Sequence, residues 1–284
     1  MDKNKHQTLN PGLYLVSTPI GNMEDITYRA LNVLNKSEII LCEDTRRSAK
    51  LISYYKIKNK LVSYHKFNEK KMSEKAINFI KEKKIVSLIS DAGTPAISDP
   101  GLLLIKKCIN EKLNVSPIPG PSAPTSAISV SGFSDKYLFY GFLPKKEQEL
   151  EKILNNLCNF EYSIVFFASA SKINFFIKKF KLFFSDREIL VAREMTKIHE
   201  NFTRNSVKSI NFFPENLKGE LTIVLSNKSK EKRYEKKISE SVKSEIKNML
   251  SKYSLKDVVE YISKKENIQK KMIYNYCLKN KKSK

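Results

Sequence analysis

Residues 90–101 read SDAGTPAISDPG, and this stretch carries more turn chemistry than a strand-to-helix connection requires. Gly93 and Gly101 admit positive φ and let a ligand come close to the backbone. Pro95 and Pro100 fix φ and stiffen the loop. Two shorter loops of the same kind are Thr18-Pro19-Ile20-Gly21-Asn22 and Pro119-Gly120-Pro121-Ser122-Ala123-Pro124. A fourth stretch, Cys42-Glu43-Asp44-Thr45-Arg46-Arg47, sets an acidic pair beside two guanidinium groups. The chemistry this supports is ligand holding by stiff, small-residue loops, with carboxylates and cations close by. Metal chemistry is not indicated. His6, His65 and His199 are scattered, and Cys42, Cys108, Cys158 and Cys277 lack any paired spacing. A zinc site or disulfide framework is therefore not expected, and a reducing compartment fits the cysteine usage.

The elements around these loops read as alternating strand and helix. Apolar runs at 13–17, 38–41, 61–64, 85–89 and 114–118 each lead to a turn-rich or charged segment. Helical patterns follow, through Leu34 from caps at Asp25 or Thr27, then over 48–55, 71–82, 102–110 and 123–131. Alternation of this kind predicts a parallel sheet with right-handed crossovers. The loops follow strands rather than helices, so they should gather at the carboxyl rim of the sheet, where open α/β sheets bind ligands.

Composition changes at Gly132-Phe133-Ser134-Asp135. Beyond it, strands at 137–143, 162–168, 188–192 and 221–225 alternate with helices at 147–157 and 172–184, and 201–213 reads as strand or hairpin. The expected organisation is an N-terminal α/β domain over 11–132, a C-terminal α/β domain with a mixed sheet over 135–226, and a basic helical tail over 238–284. Residues 229–237 read as a charged linker. Three short helices are expected at 238–250, 255–264 and 268–278, with Ser254 and Asn267 at cap positions.

The 284 residues carry 52 Lys and Arg against 30 Asp and Glu, a net charge of +22. Half of the excess lies in residues 227–284, so a polyanionic partner is expected and the tail is where its pull is concentrated. No stretch has the length and apolarity of a membrane span, and the N-terminal residues do not read as a signal peptide. The expectation is a soluble, cytoplasmic protein.

The ordered set Thr18-Pro19-Ile20-Gly21-Asn22, Glu43-Asp44-Thr45-Arg46, Asp91-Ala92-Gly93-Thr94-Pro95, Ser98-Asp99-Pro100-Gly101, Pro119-Gly120-Pro121, Gly141-Phe142-Leu143-Pro144 and Ala192-Arg193-Glu194 resembles the small-subunit ribosomal RNA 2′-O-methyltransferase I family. That family lies within the tetrapyrrole methylase superfamily. The resemblance covers about residues 13–226. It implies a two-domain tetrapyrrole-methylase-like fold with S-adenosylmethionine (SAM) in the cleft, and a homodimer. It also implies 2′-O-methylation of a cytidine ribose in the decoding region of 16S rRNA, on naked rRNA or on the assembled small subunit. A small-molecule methylase of tetrapyrroles and a non-catalytic ribosome-assembly factor of the same fold are the rival readings. The chain departs from the family after the strand at 162–167. There Ala168-Ser169-Ala170-Ser171-Lys172 stands where a Glu-Ser pair and a His-Arg are usual.

On this resemblance, SAM is expected against Asp91, Ala92, Gly93, Thr94, Ala96 and Ile97, with Ser122 and Ala123 at the next strand end. Pro19 and Gly21 close the crevice, and Phe167, Ala168 and Gly219 come from the second domain. Asp99, before Pro100 and Gly101, reads equally as a turn residue. Methyl transfer to a weakly nucleophilic hydroxyl is helped by a general base and needs no metal. The candidates are Glu43, Asp44 and Glu194, with His65 and Glu69 behind them. Arg29, Arg46, Arg47, Lys145, Lys146, Arg193 and Lys197 are candidate phosphate contacts. Residues 255–278 resemble a small helix–turn–helix that can grip rRNA electrostatically.

Overall fold

The computed structural model describes residues 9–228, 238–266, 268 and 270–281. Its first half is a five-stranded sheet of β1 (Gly12–Val16), β2 (Ile39–Cys42), β3 (Lys60–Ser63), β4 (Ile85–Leu88) and β5 (Val115–Ile118), in the order β3-β2-β4-β1-β5. All neighbours are parallel, as alternating strands and helices dictate. Helices α1 (Tyr28–Lys36), α2 (Thr45–Tyr54), α3 (Glu69–Lys81), α4 (Leu102–Asn110) and α5 (Ala123–Ser129) make the connections. Apolar side chains on both sheet faces are covered: Val33, Leu34 and Ile52 pack on one, and Ile77, Ile80 and Leu104 on the other. The strands accordingly read as continuous apolar runs rather than alternating ones.

The second sheet has the order β6-β7-β10-β8-β9, from β6 (Tyr137–Phe142), β7 (Ser163–Ser169), β8 (Glu188–Arg193), β9 (Asn201–Ser206) and β10 (Glu220–Leu225). Only β6 and β7 are parallel, so this sheet is mixed. Helices α6 (Glu147–Leu157) and α7 (Ile173–Phe183) cover one face. The other face takes α5: Ala127 is buried against Val165, Leu190 and Val224. A helix that follows the last strand of the first sheet thus packs on the second, and residues 9–228 form one compact unit.

Several boundaries differ from the sequence reading for local reasons. Helix α2 starts at Thr45 rather than Ser48, because the Asp44 carboxylate accepts the Arg46 N–H and caps it. The expected 201–213 strand ends at Ser206, where Ser209 and Ile210 N–H groups turn back onto the Ser206 carbonyl. The second unit holds α8 (Glu240–Leu250), α9 (Leu255–Glu266) and α10 (Lys270–Lys281) around Ile246, Val258, Ile262 and Ile273. Ser254 caps α9 by accepting the Asp257 N–H at 3.3 Å. The expected cap Asn267 and the linker over 229–237 lie outside the described residues.

One cation is structural. Arg187 is 1% exposed. Its guanidinium donates to the carbonyls of Tyr162 (3.1 Å), Ser226 (2.9 Å), Cys158 (3.2 Å) and Phe160, and lies over the Phe184 ring. It ties the turn after α6 to the end of β10. Arg187→Met should lower stability by about 3 kcal/mol, because orphaned buried carbonyls cost roughly 1 kcal/mol or more each. Arg187→Lys should recover less than half, since an ammonium cannot span four acceptors. Urea unfolding of the full chain checks both.

Candidate active site

Because the first sheet is parallel, the ends of β1, β2, β4 and β5 share one rim. The loop after β4 is stitched to all three neighbours there. Thr18 and Gly93 exchange backbone hydrogen bonds at 2.9 and 3.0 Å. Ser17 Oγ and Thr94 Oγ1 lie 3.1 Å apart, and Thr94 Oγ1 donates to the Pro121 carbonyl at 3.2 Å. Asp91 Oδ1 accepts the Asp44 N–H at 3.2 Å, and Asp91 Oδ2 lies 3.3 Å from Arg47 Nη1. The loop is also conformationally demanding: Gly93, Ala96 and Ser98 all have φ between 64° and 79°. Two L-residues in the left-handed region within three positions are held by their surroundings, a pattern typical of ligand clamps. Gly101 has no room for a side chain, since a Cβ there would come within 2.7 Å of Leu88 Cδ2.

A cavity of about 280 Å³ opens between this loop and the second sheet. Its apolar wall is Ile97, Ala123, Pro124, Phe142, Phe167, Ala168 and Leu221. Phe167 is held edge-on to Phe139, with centroids 5.0 Å apart, and 5.2 Å from Phe142. Its polar wall carries Glu43, Asp91, Asp99 and Glu220, with Thr94, Ser98, Ser122 and Thr222. Burial pushes the Asp99 carboxyl up to about 6, reinforced by the charges of Glu43 and Asp91 and opposed by a hydrogen bond from Ser90. A second cavity of about 200 Å³ lies toward Thr18, Gly21, Ser48 and Lys197, and a polar basin of about 430 Å³ lies over Thr45, Arg46 and Ser63. Arg47 and Asp91 line all three.

Against known proteins, the family described as Tetrapyrrole (Corrin/Porphyrin) Methylases matches residues 12–211. A protein of Rickettsia prowazekii named ribosomal RNA small subunit methyltransferase I is 43% identical over 221 residues, 77% of this chain and 79% of the relative. One of the same name from Thermotoga maritima is 44% identical over 76% of this chain and 98% of the relative. The chain belongs to the ribosomal RNA small subunit methyltransferase I family. Its tetrapyrrole methylase fold, expected from the resemblance, is also that of the uroporphyrin-III C-methyl transferase of Thermus thermophilus. That structure, solved with S-adenyl homocysteine, gives a TM-score of 0.53 at 12% identity, over 76% of this chain and 97% of that one.

The family motifs do not all arrive at the same place. Asp91, Ala92, Gly93, Thr94, Ile97, Ser122, Ala123, Phe167 and Ala168 line the 280 Å³ cavity. Pro19 and Gly21 line the 200 Å³ cavity instead. Gly21 is required by packing, because a Cβ there would meet Lys197 Cγ at 2.5 Å and Thr196 Oγ1 at 2.6 Å. Ala96 turns its methyl toward Gly101, and Gly219 (φ 108°) makes room for the Glu194 side chain; neither lines any of these three spaces.

The carboxylates expected to serve as base separate by geometry. Asp44 caps α2 and is forked by Arg46 Nε and Nη2 at 3.1 and 2.8 Å, an interaction that holds it at about 2. Burial pushes Glu194 up, but the Glu220 N–H and Lys197 outweigh it and its pKa is lowered. Its Oε1 accepts that N–H at 2.8 Å and Lys197 Nζ at 3.0 Å, anchoring a turn in which Glu194 and Thr196 have positive φ. Neither side chain lines the 280 Å³ cavity; Asp44 borders the basin, and both Asp44 oxygens and Glu194 Oε1 are engaged by backbone and cation partners. Glu43 lines both that cavity and the basin, and has no hydrogen-bond or ion-pair partner among the described residues. His65 and Glu69 line none of the three.

Five expected phosphate contacts have internal partners, counting Arg46 on Asp44 and Arg47 on Asp91. Arg29 Nη2 donates to the Pro117 carbonyl at 2.9 Å, Arg193 Nε donates to the Lys218 carbonyl at 3.0 Å, and Lys197 is shared by Glu194 and Glu220. Lys145 and Lys146 are exposed before α6. Arg46 and Arg47, with side chains 89% and 66% exposed, stand at the basin.

Sequence reasoning left Asp99 open between site and turn, and did not show it as Glu43's like-charge neighbour. An Asp before Pro-Gly has an ordinary reading as a turn residue. Phe142 was visible only as part of Gly141-Phe142-Leu143-Pro144; the bulge at Tyr140 and Gly141 (φ 89°) sets its place. Asp99 also carries a pH signature. Its folded value of about 6 lies above the ordinary carboxylate value of ~3.9, so the native state binds the proton more tightly than the unfolded chain. Stability contributed by this group is therefore present below ~4 and lost as pH rises through about 6. Asp99→Asn should raise Tm more at pH 7.5 than at pH 4. Equal shifts at the two pH values, by scanning calorimetry, would refute the assignment.

Proposed function

We propose that this chain transfers the methyl group of SAM to the 2′-oxygen of a cytidine ribose in the decoding region of 16S rRNA. The observation that carries the reading is one cavity with an apolar wall and a carboxylate wall, opening beside an arginine-bearing basin. SAM combines a flat adenine with a cationic sulfonium and an α-ammonium, and this donor set fits both. Phe167, Pro124 and Leu221 suit the adenine. Glu43, Asp91 and Asp99 suit the positive charges, and the Gly93 backbone permits close approach. SAM supplies an electrophilic methyl group when bound. The relatives' name supports rRNA as acceptor, and the resemblance supports the cytidine 2′-hydroxyl.

The chain's own residues then have separable roles. The stiff loop from Ser90 to Gly101 holds the donor still, so positioning supplies much of the rate. Glu43, between the cavity and the basin, takes the 2′-hydroxyl proton. Burial and the charges of Glu43 and Asp91 disfavour the ionised form of Asp99 beside it. Arg46 and Arg47 meet phosphates at the basin, as Arg forks do. The basic helical tail adds sequence-independent grip on the same RNA. A homodimer in the cytoplasm belongs to the same reading; no helix among the described residues is long and apolar enough to cross a membrane.

Radiolabelled methyl transfer from SAM to unmodified small subunits, to naked 16S rRNA and to a tetrapyrrole tests this directly. Recovery of 2′-O-methylcytidine from the RNA is expected. Label in the tetrapyrrole alone, or in nothing, supports one of the two rivals. Glu43→Gln should cut kcat by about 10²- to 10⁴-fold, with S-adenosylhomocysteine affinity kept within about twofold. Truncation after Lys228 should weaken rRNA binding and flatten its dependence on salt, since fewer counterions are then released. A filter-binding salt titration reads both effects.

A further inference from the structure

Residues 64–68, the turn after β3, line none of the three spaces but stand beside the basin. Strand β3 pairs with β2 in parallel, with Ser63 opposite Cys42, so both strands end on the cavity rim. The Tyr64 N–H continues the pairing onto the Cys42 carbonyl at 2.8 Å. Ser63 lines the basin together with Glu43, Arg46 and Arg47. One strand spacing, about 5 Å, separates the two strand ends. Strand β3 is also the edge of its sheet, so no further strand lies beyond this turn.

The turn is tightly held. Asn68 Oδ1 accepts the His65 N–H at 2.9 Å, and Asn68 Nδ2 donates to the Ser63 carbonyl at 3.0 Å. The N–H groups of Asn68 and Glu69 return to the His65 carbonyl. On this turn Phe67 is 99% exposed, the most exposed large apolar side chain among the described residues. Its ring meets the His65 ring edge-on, with centroids 5.9 Å apart.

Single apolar residues on a surface are ordinary, but Phe67 has an unusual setting. Hydrogen bonds, not a loose loop, hold it out into solvent. Exposed Lys66, Lys70 and Lys71 flank it. Lys70 and Lys71 stand in the first turn of α3, where the helix dipole disfavours cations. Fold stability explains neither the bare ring nor these lysines.

An aromatic face among cations, beside an arginine-bearing basin, suits single-stranded nucleic acid. Bases stack on the ring, and phosphates follow the cations. A second protein surface is met less well, because the charged and polar neighbours of Phe67 leave no contiguous apolar patch. If the ribose to be methylated lies at Glu43, a strand leaving across the basin brings its next base to the turn one strand over.

We propose that Phe67 stacks on an unpaired rRNA base adjoining the methylated nucleotide. It is a positioning residue, and it holds the flanking strand in register with Glu43. The proposal rests on the rRNA ribose methylation reading and adds how the strand beside the target is held.

Phe67→Ala and Phe67→Trp in the full chain test it. The side chain is exposed, so neither should move Tm. Phe67→Ala should raise KM for unmodified small subunits about five- to a hundredfold, the loss of one stacked base. It should leave the salt slope of rRNA binding unchanged, because no charge is removed. Phe67→Trp should keep KM within about twofold of wild type, since an indole also stacks. S-adenosylhomocysteine affinity, by calorimetric titration, should be unchanged in both. The chain has no tryptophan, so the indole introduced by Phe67→Trp reports alone, and naked 16S rRNA should quench its emission. An unmoved KM in Phe67→Ala overturns the proposal, as does an equal rise in both variants. So does an indole that naked rRNA leaves unquenched, or one whose emission changes with protein concentration alone, which assigns the ring to a second copy of the chain. A wild-type chain that transfers no methyl to subunits removes the underlying reading. An active wild type with any of these negative results removes this contact alone.

Discussion

The Asp91 carboxylate is the point on which the site depends. One oxygen accepts the backbone N–H at the start of α2, and the other faces the Arg47 guanidinium. These bonds lock the end of β4 to the end of β2, across the middle of the parallel sheet. Arg47 would otherwise swing freely on the rim, and the loop from Ser90 to Gly101 would have no lateral anchor on that side. The same pair divides the 280 Å³ cavity from its two neighbours, so one ion pair sets both the stiffness of the loop and the partition of the space around it.

Charge balance explains why nearby carboxylates behave so differently. Asp44 sits at a helix N-terminus with an Arg fork, which favours its ionised form. Asp99 is partly buried and faces two other carboxylates, which disfavours it. The two residues belong to neighbouring loops of one rim. Their separation in proton affinity comes from neighbours brought in by folding, not from residue type. Glu43 lies between these two environments without a hydrogen-bond or ion-pair partner among the described residues.

The second sheet completes the site from the opposite side. Helix α5 packs Ala127 into its core, and Gly21 admits the turn around Lys197 because it lacks a side chain. These contacts bring Phe167, Ala168 and Leu221 up to the loop after β4. A pocket walled by both sheets needs this close fit, and α5 begins one residue after Ser122, itself a cavity-lining residue.

Much of this was legible in the sequence. The alternation of apolar runs with helical patterns determined a parallel sheet, and parallel strands oblige their carboxyl-end loops to share a rim. The glycines and prolines of residues 90–101 marked the loop itself, since their backbone preferences are local. Tertiary structure alone decided which carboxylate stands free. Glu43, Asp44 and Glu194 are equivalent as letters, and only the placement of Arg46, Lys197 and the Glu220 N–H tells them apart. It also decided that Asp99 faces like charges and that Arg187 is a buried tie. The physical reason is the same in each case: burial, pairing and proton affinity depend on neighbours distant in the chain, whereas strand, helix and turn preferences are written within a few residues.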